Sequence, residues 1–262
     1  MNVKSMGFIG GGRVTRFLLT ALKEKNALPE KIIVTDPNEA ARNRIKAIDP
    51  KKIECSPDNA RTIHVDVLFL SVHPPVMKDV SAEISGKIEK NTLVVSLAPV
   101  ISMEKLTVML GGVTKLVRMI PNAPSIIHKG YNPVAYSDDI NADEKRRLKQ
   151  VFSCWGEAPE VDESKLETYA IVTAMGPTYF WPQWVKLQAL GKEFGLSDKE
   201  LNEGIAAMLN GSVALMYHSD LSAEEVMDLI PVCPLKEKES EITGFFENAL
   251  KPLYKKLKGI SG

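Results

Sequence analysis

Short apolar runs alternate with helix-like stretches from Val3 to Val161. Each run is rich in β-branched residues and is apolar throughout, as in VDVLFLSV (Val65–Val72), and the stretch that follows repeats its apolar residues at helical spacing. Continuous apolar strands that alternate with helices are typical of a parallel sheet covered on both faces. We therefore predict an α/β domain over residues 1–162. The strand-like runs are KSMGFIG, KIIVTD, VDVLFLSV, NTLVVSLA, TKLVRMI and NPVAYS.

The pattern changes at Ser164, after which no strand-like run occurs. Long stretches with helical spacing follow, and they predict an all-helical domain over residues 163–262, which is a common size for a small domain. The helical stretches are SKLETYAIVTAMGPTYFWPQWVKLQALGKEFG, SDKELNEGIAAMLNGSVALMYHS and TGFFENALKPLYKKLKG.

Charge and cysteine content narrow the function classes. Lys and Arg number 33 and Asp and Glu number 33, so the chain has no formal net charge. A neutral chain has no overall positive potential that would attract nucleic acid or an anionic membrane, and neither partner is expected. Cys55, Cys154 and Cys233 lie far apart without a CxxC pair, so we expect reduced thiols and no metal site. The absence of a membrane-length apolar run and of a signal-peptide layout predicts a cytoplasmic protein.

A glycine-rich stretch, MGFIGGGRVTRFLLTAL, joins the first predicted strand to the first predicted helix. It matches the G-x-G-x-x-G fingerprint at Gly10 and Gly12, with Thr15 at the third position. The first glycine permits a tight turn, and the second lets a pyrophosphate approach the amides at the helix N-terminus. We predict a Rossmann-type site for NAD or NADP, with Thr15 holding helix and strand slightly apart; the alternative is a purely structural turn. The predicted contacts are Gly10, Gly11, Gly12, Arg13 and Val14.

An acidic residue, Asp36, ends the second predicted strand. A carboxylate at this point accepts hydrogen bonds from the adenosine ribose of NAD and repels the 2′-phosphate of NADP, which slightly favours NADH. Arg42 and Arg44 lie close in sequence and could reverse that preference. The alternative role for Asp36 is to cap a helix that starts at Pro37.

Further candidates follow the carboxyl ends of later strands, where this kind of sheet binds its ligands. Asn122 stands between two prolines on a stiffened loop and could donate to the cofactor or the substrate; the alternative is an Asx-type turn residue that bonds its own backbone. The predicted cofactor contacts in these loops are Ser71, Val72, His73, Pro74, Ala98 and Asn122.

Four stretches of the chain carry a resemblance to a known family. GFIGGGRVTRFLL resembles the glycine loop of the pyrroline-5-carboxylate reductases, SVHPPVM their Val-Lys-Pro loop, and LVRMIPNAPSIIHKGYNPVAYS their Arg-x-Met-Pro-Asn-Thr-Pro stretch. The segment from VFSCWGEAPEV to the helix that contains MGPTYF is similar to the family's Ser-Gly-Ser-Gly-Pro-Ala-Tyr region. The resemblance covers nearly the whole chain.

The resemblance implies an N-terminal Rossmann-type parallel sheet followed by a C-terminal all-helical dimerisation domain. It implies an oxidoreductase of proline biosynthesis that delivers hydride from NADH or NADPH to the C=N carbon of pyrroline-5-carboxylate or a related cyclic imine. It also implies a homodimer through the helical half, whose aromatic group Phe180, Trp181 and Trp184 we assign to the interface. The substrate-binding residues carried over are Asn122, Met175, Gly176, Pro177 and Thr178.

The chain departs from the family at three places. His73 replaces the lysine of the Val-Lys-Pro loop, and Thr173–Pro177 reads TAMGP in place of Ser-Gly-Ser-Gly-Pro. The family's Ser-Pro-Gly-Gly-Thr-Thr loop, which cradles the substrate carboxylate, is replaced by PVCPLKEKES over Pro231–Ser240. We therefore expect poor reduction of pyrroline-5-carboxylate and better activity on a related substrate.

Three side chains are candidates for a proton donor: Tyr179, His128 and Lys236. Each has a structural alternative: a core hydroxyl for Tyr179, a loop surface position for His128 and a solvated charge run for Lys236. A protonated imine also needs no dedicated acid. The alternative functions are an F420-dependent NADP oxidoreductase-like enzyme, whose second half differs from this one, and a non-catalytic NAD(P)-binding regulatory protein.

Overall fold

A seven-stranded sheet forms the first part of the molecule. The computed structural model describes residues 3–260, so the outermost residues of the two predicted domains, 1–2 and 261–262, lie outside it. The strand order is β3-β2-β1-β4-β5-β6-β8, with every neighbouring pair parallel except β6–β8. A separate parallel pair joins β7 to β9. The strands are β1 Ser5–Ile9, β2 Lys31–Thr35, β3 Ile53–Ser56, β4 Val67–Leu70, β5 Leu93–Ser96, β6 Leu116–Met119, β7 Gly130–Tyr131, β8 Val134–Tyr136 and β9 Gly156–Glu157.

This strand order is that of the Rossmann fold, and it confirms the predicted fold class. Strands β4, β5 and β6 are buried along their whole length, which is why their sequences are continuous apolar runs and not alternating ones. The sequence pattern missed β3, because Glu54 and the half-exposed Cys55 interrupt its apolar character.

The helices cover the sheet and form the second part of the molecule. They are α1 Arg13–Glu24, α2 Glu39–Lys46, α3 Pro74–Ile84, α4 Met103–Met109, α5 Ala142–Phe152, α6 Leu166–Tyr169, α7 Pro177–Glu193, α8 Asp198–His218, α9 Ala223–Asp228 and α10 Glu239–Lys258. Short 3-10 helices span Asn59–Thr62, Ala123–Ile127, Glu163–Lys165 and Lys236–Lys238, and a π-helical turn spans Ala170–Ala174. Among residues 3–260 no helix is long and apolar enough to cross a membrane.

Two apolar clusters form the core, one on each face of the sheet. In the first, the rings of Phe8 and Phe69 stack with centroids 4.5 Å apart, and Trp155 packs edge-on against Phe69 at 5.9 Å. The indole N–H of Trp155 donates to the carbonyl O of Leu18 at 3.0 Å, so this buried side chain leaves no polar atom unpaired and ties the end of the α/β region to α1.

The boundary between the two parts lies later than the sequence pattern predicted. The chain divides into one unit of residues 3–175 with 254–260, and a second unit of residues 176–253. Residues 163–175, predicted to open the helical domain, belong to the sheet unit because Leu166 and Ala170 are buried in its second apolar cluster. The predicted long helix is also interrupted: Pro177 has no amide N–H to continue a helix, and α7 begins there.

The helical unit, residues 176–253, has almost no core of its own. Within it only Gly176, Gly191 and Leu201 are buried, all three in the described part of the chain. Large apolar side chains instead face outward, among them Val185 at 67% exposure and Phe245 at 63%.

Candidate active site

The glycine loop connects β1 to α1 as a tight turn. Gly10 has a φ of +103°, and a Cβ added there would lie 2.6 Å from the carbonyl O of Ser71, so the fold itself requires glycine. Gly12 directly precedes α1 and has open space where a side chain would be, with no atom within 4 Å. An unfilled space at the N-terminus of a helix fits the pyrophosphate of a dinucleotide.

Thr15 takes the third position of the fingerprint with a specific contact. Its hydroxyl donates to the carbonyl O of Gly10 at 2.5 Å, and the side chain is buried. Thr15 therefore contributes more than bulk at this position, because its hydroxyl braces the turn that the first glycine makes.

Asp36 is hydrogen-bonded to backbone on both sides. One carboxylate oxygen accepts from the N–H of Gly11 and the other from the N–H of Asn38, each at 2.8 Å. The suggested helix cap at Asp36 is wrong, because α2 begins at Glu39 and Asn38 caps it by accepting from the N–H of Ala41 at 3.0 Å. The carboxylate is therefore held beside the glycine loop, where a cofactor ribose would lie.

The two nearby arginines behave differently. Arg42 donates to the carbonyl oxygens of Asp36 and Pro37 at 2.7 and 2.9 Å, so its guanidinium supports the backbone. Arg44 instead borders a cleft beside the glycine loop, together with Arg13 and Arg16 on α1. Three guanidinium groups give this cleft a positive potential suited to a polyanionic ligand.

This glycine-loop cleft has a volume of about 750 Å³ and is bordered by the ends of β1, β4 and β5. It brings together most of the predicted cofactor contacts and one predicted substrate contact. Among the predicted residues it is lined by Gly11, Gly12, Arg13, Val14, Ser71, Val72, His73, Pro74, Ala98 and Met175. Arg16, Ala41, Arg44, Leu97 and Pro99 complete the lining.

Ser71 adds a polar atom to the cleft. Its hydroxyl is buried and has no hydrogen-bond partner among residues 3–260. A buried hydroxyl without a partner costs free energy unless a ligand or water satisfies it. The hydroxyl therefore fits a contact to a bound cofactor.

A second depression of about 790 Å³ lies along β8 and the Glu163–Lys165 turn. It is bordered by Asp138, Glu160, Asp162 and Glu163, against the single cation Lys165. Its acidic border is unsuited to a dinucleotide, so we assign the cofactor to the glycine-loop cleft.

Asn122 does not border the glycine-loop cleft. Its side-chain oxygen accepts from the N–H of Tyr131 at 3.0 Å, and its own N–H donates to the side chain of Asn132 at 3.0 Å. These bonds hold the loop between β6 and β7, and the side chain bonds Tyr131 and not its own turn. A contact from Asn122 to the cofactor or the substrate stays a prediction.

His128 lies far from the glycine loop and we do not carry it forward as a catalytic candidate. Its imidazole bonds the carbonyl O of Cys154 at 2.8 Å and is 3.3 Å from the carboxylate of Glu24. Glu24 is the last residue of α1, whose 12 residues extend about 18 Å from the glycine loop at its start.

The remaining candidates lie in the helical unit. Gly176, Pro177 and Thr178 form the start of α7, and Tyr179 follows them with its ring 5.8 Å from that of Phe246. Burial raises the pKa of Tyr179, which keeps the hydroxyl in its donor form. The side chain of Lys236 is 76% exposed and 3.8 Å from Glu239, which matches the solvated charge run that we weighed against a catalytic role.

One buried charged group that contacts the loop after β5 was not predicted from the sequence. Arg118 is 2% exposed in β6 and is paired with Glu163 and Glu167. The sequence does contain a signal for this group, namely an arginine inside the apolar run TKLVRMI, because a buried arginine needs a partner of opposite charge. The sequence does not identify which carboxylate is that partner.

Comparison with known proteins agrees with the fold and the cleft. A family model described as "NADP oxidoreductase coenzyme F420-dependent" matches residues 5–99, the part that carries the glycine loop. The pyrroline-5-carboxylate reductase of Corynebacterium melassecola is 26% identical over 256 residues, which covers 94% of each chain. That of Synechocystis sp. is 30% identical over 176 residues, covering 66% of this chain and 64% of the relative.

The chain is similar to the pyrroline-5-carboxylate reductases over nearly its whole length. Solved enzymes of that name share its fold. The pyrroline carboxylate reductase of Plasmodium falciparum, determined with NADP bound, has a TM-score of 0.80 at 20% identity and covers 100% of this chain and 99% of its own. The enzyme of Streptococcus pyogenes has a TM-score of 0.80 at 19% identity and covers 97% of this chain and 98% of its own. At these low identities the solved structures show a shared fold.

Proposed function

We propose that this chain is an NAD(P)H-dependent oxidoreductase that acts on a C=N bond, and that its substrate is pyrroline-5-carboxylate or a closely related cyclic imine. The observation that carries the proposal is the glycine-loop cleft, in which an open Gly12 and a buried Ser71 hydroxyl without a partner in the described chain lie in a positively charged groove. The family's members supply the substrate class.

Each part of the cleft is assigned to one part of the bound cofactor. The N–H groups at the start of α1 bind the pyrophosphate, and Arg13 and Arg16 add positive charge beside it. The carboxylate of Asp36, held by Gly11 and Asn38, accepts from the ribose of the adenosine half. The nicotinamide cofactor supplies the hydride, and the loops after β4 and β5 orient its reactive ring and exclude water.

The fixed position of Asp36 favours NADH over NADPH. A 2′-phosphate would lie against a carboxylate whose two oxygens are already held in place, while Arg44 is exposed and offers a weaker counter-charge. The measurement is the ratio of Kd for the two cofactors, and tighter binding of NADPH would overturn this preference.

A turnover assay tests the activity. Purified protein is given pyrroline-5-carboxylate with NADH or NADPH, and cofactor oxidation is followed by absorbance, with Gly12→Val as the control that lacks a cofactor site. A second series uses other cyclic imines, because the segment Pro231–Ser240 does not match the family's carboxylate loop. We expect slow turnover with pyrroline-5-carboxylate and faster turnover with a related imine.

Two results would contradict the proposal. Oxidation of reduced coenzyme F420 with NADP, and none with any imine, would place the activity with the family model that matches residues 5–99. Tight binding of NADH or NADPH without turnover of any imine would indicate a non-catalytic NAD(P)-binding protein.

A further inference from the structure

A buried arginine bridges two carboxylates that also hold the loop after β5. Arg118 lies in β6 and is 2% exposed. Its guanidinium donates to Glu163 at 2.9 Å and to Glu167 at 2.7 Å. A buried charge needs such partners to offset its desolvation, and the arrangement is geometrically specific because a guanidinium is rigid and planar.

The same two carboxylates also hold the backbone that follows β5. The oxygen of Glu167 that binds Arg118 accepts from the N–H of Val100 at 3.2 Å, and that of Glu163 accepts from the N–H of Met103 at 2.7 Å. The residues just before Val100 are Ala98 and Pro99, which border the cleft. The guanidinium and the loop are therefore connected through shared oxygen atoms.

The backbone of Val100 is in an unfavourable conformation. Its φ is +78°, in the left-handed region that a β-branched residue rarely adopts. Such a conformation persists only where the surroundings impose it, and it occurs preferentially at functional sites. The N–H of Val100 donates to Glu167, so the cluster holds the residue that carries this conformation.

The cluster is also connected through the chain to a second residue that borders the cleft, Met175. Glu167 lies in α6, and the π-helical turn Ala170–Ala174 follows it directly. That turn ends at Met175, whose N–H donates to the carbonyl O of Ala170 at 2.9 Å and whose side chain borders the cleft. Turns of this kind are frequent at functional sites.

We propose that Arg118, Glu163 and Glu167 form a positioning cluster, which holds the Ala98–Val100 loop and the turn ending at Met175 in the geometry that the nicotinamide half of the cofactor requires. The cluster stands at the second half of the Rossmann sheet, the half that receives the second mononucleotide. The inference rests on the proposed function, because it assumes that the cleft holds NADH or NADPH.

A matched control exists at the other end of the same strand. Lys115, directly before β6, pairs with Glu144 at 2.5 Å, and the side chain of Glu144 is as buried as that of Glu167, at 9% exposure. Neither Lys115 nor Glu144 borders the cleft. Glu144→Gln therefore removes a comparable ion pair without touching the loop after β5.

The experiment compares Glu167→Gln with Glu144→Gln and the unaltered protein. It measures the Kd for NADH and NADPH by calorimetry, kcat and KM for an imine, and the Tm of the free protein. We expect both variants to lower the Tm, but only Glu167→Gln to raise the cofactor Kd, by about tenfold, and to lower kcat with little change in the KM of the imine. Should Glu167→Gln fail to fold, Arg118→Lys takes its place, since lysine keeps the charge but lacks the fork that bridges both carboxylates.

The outcomes separate the two proposals. If the unaltered protein binds neither NADH nor NADPH, the proposed function fails and the positioning role fails with it. If the unaltered protein binds the cofactor and Glu167→Gln matches it in Kd and kcat, only the positioning role is overturned. The same holds if Glu144→Gln weakens cofactor binding and lowers kcat as much as Glu167→Gln does.

Discussion

At the residue scale, the glycine loop shows that neighbouring glycines serve different purposes. The folded protein itself requires glycine at Gly10, because its φ is positive and the carbonyl of Ser71 occupies the place that a side chain would take. Gly12 has an ordinary φ of −73° and empty space around it. Among residues 3–260 no atom takes the place of a side chain at Gly12, and that open space fits a ligand.

Substitution at the two positions should therefore have opposite effects. Gly12→Val should bring dinucleotide binding below detection and leave the Tm nearly unchanged, because the valine side chain fills only the ligand's space. Gly10→Ala should instead lower the free energy of unfolding by about 1–3 kcal/mol, the typical cost of a strained backbone. Calorimetry with NADH and thermal unfolding measure the two effects, and unchanged NADH affinity in Gly12→Val would refute the cofactor site.

Glu167 should make stability depend on pH in the acid range. Burial raises the pKa of its carboxyl, but the hydrogen bond and charge of Arg118 together with backbone N–H bonds lower it, and the net result lies below the ordinary value of 4.5. A carboxyl with a lowered folded-state pKa stabilises the fold fully above the ordinary value, and that stabilisation is lost as the pH falls through the lowered one.

The measurement is the Tm of the unaltered protein and of Glu167→Gln as the pH is lowered. The gap between the two should be constant near neutrality and should shrink below pH 4.5. A gap that stays constant into strong acid would show that Glu167 does not titrate through its pair with Arg118.

At the element scale, the segment after α9 is where this chain departs most from its family. Leu229, Ile230, Val232 and Leu235 are each more than half exposed, and the short 3-10 helix Lys236–Lys238 follows them. This segment offers apolar side chains where the family is expected to offer backbone N–H groups and hydroxyls to a carboxylate.

Replacing Pro231–Lys236 by Ser-Pro-Gly-Gly-Thr-Thr should improve the reduction of pyrroline-5-carboxylate. One restored charge-assisted hydrogen bond contributes about 1.5–3 kcal/mol, so kcat/KM should rise at least about tenfold. The control is a neutral cyclic imine, for which the graft should bring no gain. Family-like efficiency in the unaltered protein would show that another group already holds the carboxylate.

At the scale of the whole molecule, the helical unit cannot account for its own stability. A unit of residues 176–253 with so few buried side chains has lost little apolar surface to its interior, which is the main favourable contribution to folding. Exposed apolar surface of this extent is typical of a protein interface. We propose a homodimer formed through this unit, as the resemblance to the family implies.

A charge on that surface should weaken the dimer. Val185 of α7 is 67% exposed, and Val185→Glu should shift the protein toward monomer at micromolar concentration, as followed by sedimentation, because burial of an unpaired carboxylate is costly. Val108 of α4, in the sheet unit, is 78% exposed and provides the control, since Val108→Glu should leave the mass unchanged. A monomer in the unaltered protein would refute the proposal.

The sequence by itself determined the features that depend on local periodicity. Continuous apolar runs predicted six of the strands in the sheet, and the glycine stretch between the first run and its helix predicted the position of the cofactor cleft. Both succeed because side-chain period and backbone freedom are properties of a few neighbouring residues.

Only the tertiary structure decided which distant residues meet. It placed residues 163–175 with the sheet unit, moved His128 to the far end of α1, and brought Glu163 and Glu167 to Arg118 across 45 and 49 positions of the chain. The partner of a buried charge is chosen by packing, since any of the many carboxylates could neutralise an arginine but only those that the fold brings within about 3 Å do so.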